Sequence, residues 1–130
     1  MLRRLLVPAA LLVLVTGCGG TGASQASGGP AAGPPSASTV TFKETEYTIS
    51  PDTLKLAPGT YTVEVQNLGQ FPHDLHIAAA ADGTEVGFSP VIKAGESASF
   101  QVTLKAASYV TWCAVDGHKP LGMQGTLTVA

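Results

Sequence analysis

The segment TYTVEVQN, residues 60–67, indicates the fold class of this 130-residue chain. Apolar and polar side chains alternate along it, with Tyr61, Val63 and Val65 on one face, which is typical of a half-buried β-strand. The segment ASFQVTL, residues 98–104, alternates in the same way. No segment shows a convincing amphipathic helical period, so the sequence predicts a β protein.

Shorter strands are expected on both sides of these two segments, separated by turn residues such as Pro58-Gly59 and Asp82-Gly83. For Ala80–Pro90, a short helix and an irregular loop both fit. About seven to eight strands at this spacing predict an all-β fold, a Greek-key β-sandwich of two sheets. The additional predicted strands are residues 40–42, 47–49, 54–56, 74–78, 108–113 and 125–129.

The N-terminal residues predict export. Two arginines precede an apolar run, Leu5–Val15, that is shorter than the roughly 20 residues a membrane-spanning helix needs. This pattern predicts a signal peptide over residues 1–17. The sequence Leu14-Val15-Thr16-Gly17-Cys18 is similar to the lipobox of bacterial lipoproteins, which implies that Cys18 is lipidated. An ordinary secretory signal with an incidental cysteine is the alternative.

Residues 18–38 are predicted to be the lipidated cysteine and a flexible linker. After Cys18 this stretch is nearly all small or polar residues without charge, so it cannot bury enough apolar surface to order itself. Residues 39–130 then form one domain. The expected location is the outer face of the cytoplasmic membrane, on its periplasmic or extracellular side, with the lipid at Cys18 as the anchor.

Charge and cysteine content limit what this domain can do. Without the arginines of the signal peptide, five lysines face nine acidic residues, a net charge of −4, which argues against nucleic acid as a partner. Cys113 is the only cysteine of residues 39–130, so this domain contains no disulfide. A free thiol in an exported protein is exposed to oxidation unless burial or a metal protects it.

The remaining soft side chains form a ligand-like pattern. Cys113, His118 and Met123 are five residues apart, and His73 stands forty residues before the cysteine. One thiolate, two imidazoles and one thioether are the ligand set of a blue-copper site, which suits both oxidation states of copper. Zinc is the main rival metal, although methionine is not among its usual ligands. Taken singly, each residue also fits a structural role, as a buried free cysteine, a surface histidine or a core methionine.

The order of these residues suits a site built on strand ends. Cys113 is expected to end a strand, with His118 and Met123 on the loop that follows. Gly117 and Gly122 permit a tight path for that loop. His73 is expected on a separate loop.

A family resemblance rests on these residues. Pro72-His73-Asp74, together with Cys113-x4-His118-x4-Met123-x-Gly125, resembles the cupredoxin family of blue copper proteins, which includes plastocyanin and auracyanin. The resemblance implies one type 1 copper per chain, with His73, Cys113 and His118 as equatorial ligands and Met123 as the axial ligand. Asp74 departs from the asparagine usual in plastocyanin and azurin, and its backbone N–H is expected to serve the cysteine sulfur from a second shell.

Two further residues lie close to the candidate ligands in the sequence. Alternation along the strand places His76 on the face opposite Leu75 and Ile77, as a partly exposed sheet histidine. Trp112 precedes the cysteine and is expected to face away from the metal. It either covers apolar sheet surface or belongs to a second docking area.

The predicted function is a membrane-tethered electron carrier, a monomer that meets redox partner proteins transiently and shuttles single electrons between membrane redox complexes. Phe71, Pro72, Leu121 and Gly122 are expected to form an uncharged docking patch around His118, and ordinary packing of the ligand loops is the alternative. The alternative is a copper-binding lipoprotein for copper capture or delivery. An enzyme is not expected, because the copper enzymes of this superfamily need further histidines and only His76 remains.

Overall fold

The structure, a computed structural model, describes residues 37–130. The predicted signal peptide (1–17), the predicted lipidation site Cys18 and the predicted linker up to residue 36 lie outside the described residues. In the part that is described, no helix has the length and apolar character that crossing a membrane requires.

Within residues 37–130 the chain forms nine β-strands and one short 3-10 helix. The helix, Lys119–Leu121, lies between the last two strands. The strands are β1 (Ser38–Thr45), β2 (Thr48–Ser50), β3 (Thr53–Leu56), β4 (Gly59–Asn67), β5 (His76–Ala79), β6 (Glu85–Phe88), β7 (Ser97–Leu104), β8 (Ala107–Trp112) and β9 (Gln124–Val129).

These strands form two mixed sheets. One sheet has the order β2-β1-β4-β7 and the other the order β3-β9-β8-β5-β6. Neighbouring strands are antiparallel except for the parallel pairs β1/β4 and β3/β9. The predicted all-β class is confirmed, with nine strands where seven to eight were expected.

One hydrophobic core joins the inner faces of the two sheets. On β4, Tyr61, Val63 and Val65 are buried on the face that alternation predicts, and on β9 the buried residues are Leu127 and Val129. Burial of a Val or Leu side chain contributes about 1.5–3 kcal/mol of transfer free energy. The core therefore fixes the strand ends from which the loops of the candidate site emerge.

Strand β6 corrects the expectation for Ala80–Pro90. A helix or an irregular loop was expected there, but Glu85–Phe88 pairs antiparallel with β5. The strand was not predicted because it contains Gly87, and glycine is unfavourable inside a strand. A Cβ at Gly87 would lie 2.8 Å from Cε2 of Phe100 on β7, so the close approach of the two sheets requires glycine here.

Candidate metal centre

The four proposed ligands lie on two loops of the sandwich. His73 belongs to the loop between β4 and β5, while Cys113 follows β8 directly, and His118 and Met123 lie between β8 and β9. The cysteine, the methionine and His73 are completely buried, whereas His118 keeps 8% of its surface exposed. The two loops thus meet inside the protein.

Three donor atoms converge on one point. The Nδ1 atoms of His73 and His118 lie 3.2 Å apart, and the Sγ atom of Cys113 lies 3.5 Å from Nδ1 of His118. The Sγ atom lies 4.0 Å from Nδ1 of His73. No other cluster of three or more His, Cys, Asp or Glu donors suited to a metal ion occurs among residues 37–130.

These separations fit a single metal ion. Nitrogen and sulfur ligands at about 2.0 and 2.3 Å from one ion, in a trigonal arrangement, are separated by about 3.5–3.7 Å from each other. The three measured sides bracket that range, and the soft thiolate with two imidazoles is a donor set that copper accepts in both oxidation states. The residues present therefore fit the copper that the resemblance implies.

The β8–β9 loop is closed by its own backbone. The N–H of Cys113 donates to the carbonyl of Met123 at 3.1 Å, and the N–H of Met123 donates to the carbonyl of His118 at 3.2 Å. Gly117 and Gly122 adopt φ angles of 81° and 110°, a left-handed conformation that side chains other than glycine rarely accept. The ligand spacing of the sequence thus corresponds to one tightly folded loop.

The β4–β5 loop is fixed by Asn67. Its Nδ2 donates to the carbonyls of Phe71 and Ile92 at 2.8 and 2.9 Å, and its Oδ1 accepts the N–H of Gly69 at 2.9 Å. His73 exchanges two backbone hydrogen bonds with Ile92, at 3.0 and 2.7 Å. Because Asn67 is completely buried, these bonds are shielded from water and hold the loop in one conformation.

Asp74 connects the two loops. Its Oδ1 accepts the backbone N–H of Ala114 at 2.6 Å. Burial raises the pKa of the Cys113 thiol to about 11, and the backbone N–H groups of Asp74 and Val115 oppose that rise by hydrogen bonding to the sulfur. The departure from asparagine therefore keeps the bridge, because a carboxylate accepts the same N–H.

Burial also disfavours charge on His73. Desolvation, followed by the nearby His118, lowers the pKa of His73 below its ordinary value. A neutral imidazole is the form that binds a metal through a ring nitrogen. The apoprotein thus keeps this side chain in its metal-binding state.

Sequence reasoning missed the contacts that the turn between β1 and β2 makes with the ligand loops. Glu46 accepts the backbone N–H groups of Gln70 and Phe71 through Oε1, the second at 3.2 Å. The backbone N–H of Gln70 is the largest cause of the lowered pKa of the Glu46 carboxyl, followed by the N–H of Glu46 itself and then that of Phe71. Tyr47 places its ring edge-on to His118, with centroids 5.4 Å apart. No sequence signal marks these contacts, because the two residues precede His73 by more than twenty positions.

Glu44 is a second residue that was missed. It is completely buried on the inward face of β1, and neither carboxylate oxygen has a hydrogen-bond partner. Burial, with a smaller contribution from Asp74, raises its pKa to about 8. Alternation with the inward-facing Phe42 could have located it, since a strand periodicity assigns both to the core face.

His76 and Trp112 lie together on the outer face of the sheet. The His76 ring stacks between those of Phe88 and Trp112, at centroid distances of 5.6 and 5.4 Å. Its Nδ1 lies 2.6 Å from Oε2 of Glu85, and Nζ of Lys119 lies 4.6 Å from the centroid of the Trp112 ring. Both residues therefore lie on the face away from the three donor atoms, as alternation predicted.

Part of the solvent side of the two ligand loops is apolar, although Asp116 and Lys119 of the β8–β9 loop are exposed as well. Phe71, Pro72, Leu121 and Gly122 are all exposed, as is Leu68. A surface of this kind near the partly exposed His118 suits a small, transient interface.

Comparison with solved structures identifies similar folds. Auracyanin from Roseiflexus castenholzii matches at a TM-score of 0.66 and 19% identity, over 72% of this chain and 98% of that one. Auracyanin A from Chloroflexus aurantiacus matches at 0.61 and 22%, over 71% and 99%. A blue copper oxidase from Nitrosomonas europaea matches at 0.58 and 18%, over 72% of this chain but only 38% of its own. At these identities the likeness concerns the fold.

The family is established by the sequence itself. No curated protein sequence matches the chain significantly. The model of a family described as copper binding proteins, plastocyanin/azurin family, matches residues 36–130, which include every donor of the candidate centre. This chain therefore belongs to the plastocyanin/azurin family of copper-binding proteins.

Proposed function

We propose that this protein is a type 1 copper electron carrier that is tethered to the outer face of the cytoplasmic membrane. His73, Cys113, His118 and Met123 would hold the copper. The observation that carries this proposal is the buried triangle of two imidazole nitrogens and one sulfur, with sides of 3.2, 3.5 and 4.0 Å. Auracyanin A, one of the similar structures, is described as a "blue" copper protein.

Bound copper supplies the one-electron change between Cu(I) and Cu(II). The protein keeps the donors in place during that change. Asn67 holds the loop of His73 through three hydrogen bonds, and the Cys113–Met123 backbone contact closes the other loop. Because the donors are held by packing and hydrogen bonds that do not involve metal, little has to move on electron transfer.

Electrons leave and enter by way of His118. It is the only one of the four ligands with exposed surface, and the uncharged residues Phe71, Pro72, Leu121 and Gly122 lie on the same two loops. An apolar patch without charge permits weak docking to several partners, which suits a carrier better than a tight complex does. The partners are therefore redox proteins that bind transiently to this end of a monomer.

The tether is proposed from the N-terminal sequence. Lipid on Cys18, joined to the domain by the small and polar residues that precede β1, keeps the domain near membrane redox complexes, where the effective concentration of the carrier is high. Cell fractionation tests this location. The full chain is expected in the membrane fraction, and Cys18→Ala is expected to abolish lipid incorporation and to prevent stable membrane association.

The proposal excludes turnover of a substrate by this chain alone. Beyond the two ligand histidines, His76 is the one histidine left in the sequence, and its ring nitrogens face Glu85 and Asp74. A second copper site of the oxidase kind needs several further histidines. The chain is thus a carrier that passes electrons on to other proteins.

An optical titration tests the function. The mature chain with Cys18→Ser is titrated with Cu(II), then reduced with ascorbate and reoxidised. An intense thiolate-to-copper charge-transfer band that disappears and returns is expected. If no such band forms, the electron-carrier proposal fails. If copper passes readily to a chelator, capture or delivery of copper is the better description.

A further inference from the structure

The turn between β1 and β2 lies against the loop that carries His73. Oε1 of Glu46 accepts the backbone N–H of Gln70, and also that of Phe71 at 3.2 Å. Two donors on one carboxylate oxygen fix the loop just before the ligand, because hydrogen bonds to a charged acceptor are stronger than neutral ones. Glu46 thus reaches across from another part of the sheet to shape the first ligand loop.

The same oxygen faces the far side of the ligand ring. His73 is completely buried, and its Nε2 atom has no hydrogen-bond partner. Oε1 of Glu46 lies 4.0 Å from this Nε2. When Nδ1 of a neutral imidazole binds a metal, Nε2 carries the proton, and a buried N–H without an acceptor is costly.

Gly69 makes this approach possible. A Cβ at this position would lie 2.5 Å from Oε1 of Glu46 and 3.1 Å from Nε2 of His73. The loop thus passes so close to the carboxylate and the ring that only glycine fits between them. This is an independent sign that the three residues form one arrangement.

We propose that Glu46 is a positioning residue of the copper centre, which holds His73 through the preceding loop and through the Nε2–H of its ring. The present separation of 4.0 Å exceeds a hydrogen bond by about 1 Å. The Glu46 side chain is 33% exposed, so it has the freedom to close that distance by a small rotation or through one water. A ligand histidine whose other nitrogen donates to a carboxylate is held in one tautomer and one orientation.

Metal affinity tests the positioning role. In the mature chain with Cys18→Ser, Glu46→Ala removes every contact of the carboxylate, and copper affinity is expected to fall about 10–100-fold. Glu46→Gln keeps an acceptor oxygen and is expected to retain most of the affinity. Glu64 on β4 provides the matched control, because its carboxylate bonds only to the Gln66 side chain, at 2.8 Å. Glu64→Ala and Glu64→Gln are expected to bind copper like the parent chain.

The reduction potential distinguishes this role from simple loop packing. Loss of the negative charge in Glu46→Gln disfavours Cu(II) more than Cu(I), so the ratio of the Cu(II) to the Cu(I) affinity is expected to fall about threefold or more. The potential therefore rises. If the reduction potential changes no more in Glu46→Gln than in Glu64→Gln, the proposal is contradicted.

The Nε2–H of His73 gives a readout that does not depend on electron transfer. Cu(I) is diamagnetic, so this proton can be followed by NMR in the reduced protein. Slow exchange with water is expected in the parent and in Glu46→Gln, and faster exchange in Glu46→Ala. Equal exchange in all three would overturn the inference.

This inference rests on the proposed copper site, and the two fail separately. If the parent chain does not form the blue site, the proposed function fails. If the parent forms it and the Glu46 variants match the Glu64 controls in affinity, potential and proton exchange, only the role of Glu46 is wrong. If Glu46→Ala does not fold, Glu46→Gln still decides through its potential.

Discussion

The Asp74 carboxylate accepts the backbone N–H of Ala114 at 2.6 Å, and thereby joins the loop of His73 to the residue after Cys113. The two residues are separated by 40 positions in the chain. Asp74 is 6% exposed, so the carboxylate acts in a partly desolvated environment. Two substitutions separate the effects of this side chain, because asparagine keeps the acceptor oxygen without the charge and alanine removes both.

Asp74→Ala is expected to destabilise the apoprotein by about 1–3 kcal/mol, because a charge-assisted hydrogen bond between the loops is lost. Asp74→Asn keeps an acceptor oxygen and is expected to lose less. In the copper-loaded protein, Asp74→Asn is expected to raise the reduction potential, since a negative charge that favours Cu(II) is removed. Urea unfolding and voltammetry provide the two measurements. Equal potentials in the parent and the asparagine variant would contradict the electrostatic part.

Glu44 gives the protein a specific pH dependence. Its folded pKa is raised to about 8 from an ordinary value of 4.5, so above pH 4.5 the unfolded chain ionises while the folded chain holds its proton. The free energy of unfolding that depends on this group is therefore highest below pH 4.5, and it falls as the pH rises through 8. Glu44→Gln cannot ionise and is expected to be more stable than the parent by several kcal/mol at pH 8, but not at pH 4.

Urea unfolding of the two apoproteins across this pH range checks the prediction for Glu44. Glu64→Gln serves as a control that changes one carboxylate on a neighbouring strand. Parallel stability curves for the parent and Glu44→Gln would show that the buried carboxyl does not set this pH dependence.

Met123→Leu tests the proposed role of Met123 as a copper ligand. The exchange conserves volume in a fully buried position, so the loss of stability is expected to stay below about 1.5 kcal/mol. The blue band is expected to persist, and the potential to rise because Cu(II) loses a donor. Spectroscopy and voltammetry on the same sample measure both effects. An unchanged potential would assign Met123 to core packing alone.

Gly87→Ala tests the close contact of the two sheets. Its Cβ would lie 2.8 Å from Cε2 of Phe100, and overpacking of this kind costs about 1–3 kcal/mol. Gly59→Ala is the matched control, because the nearest atom to its Cβ would be 3.7 Å away. Thermal unfolding is expected to separate the two variants. A Gly87→Ala variant as stable as Gly59→Ala would show that the sheets adjust without cost.

Local patterns explain what the sequence could predict. The alternation in β4 and β7 indicates one buried face, because successive side chains of a strand point to opposite sides. Cys113, His118 and Met123 share one loop, so their spacing carries the geometry of the site. His73 could be added because its residue type completes the ligand set.

Contacts between distant segments explain what was missed. Glu46 and Tyr47 precede the ligands by more than 20 residues, and they reach them only because β1 pairs with β4. Strand β6 was missed since Gly87, which the packing against Phe100 requires, is a poor strand former taken alone. In each case the contact that determines the local structure is with a residue far away in the sequence.

The unequal exposure of the two histidines has a consequence for partner choice. His73 is sealed, while His118 retains 8% of its surface, so a protein docked at this end contacts one ligand edge only. A longer side chain at position 121 would then slow electron transfer with every such partner to a similar extent. A change at Trp112, on the opposite face of the sheet from the donor atoms, would affect only a partner that approaches from the side. Comparing the two positions thus sorts redox partners by their direction of approach.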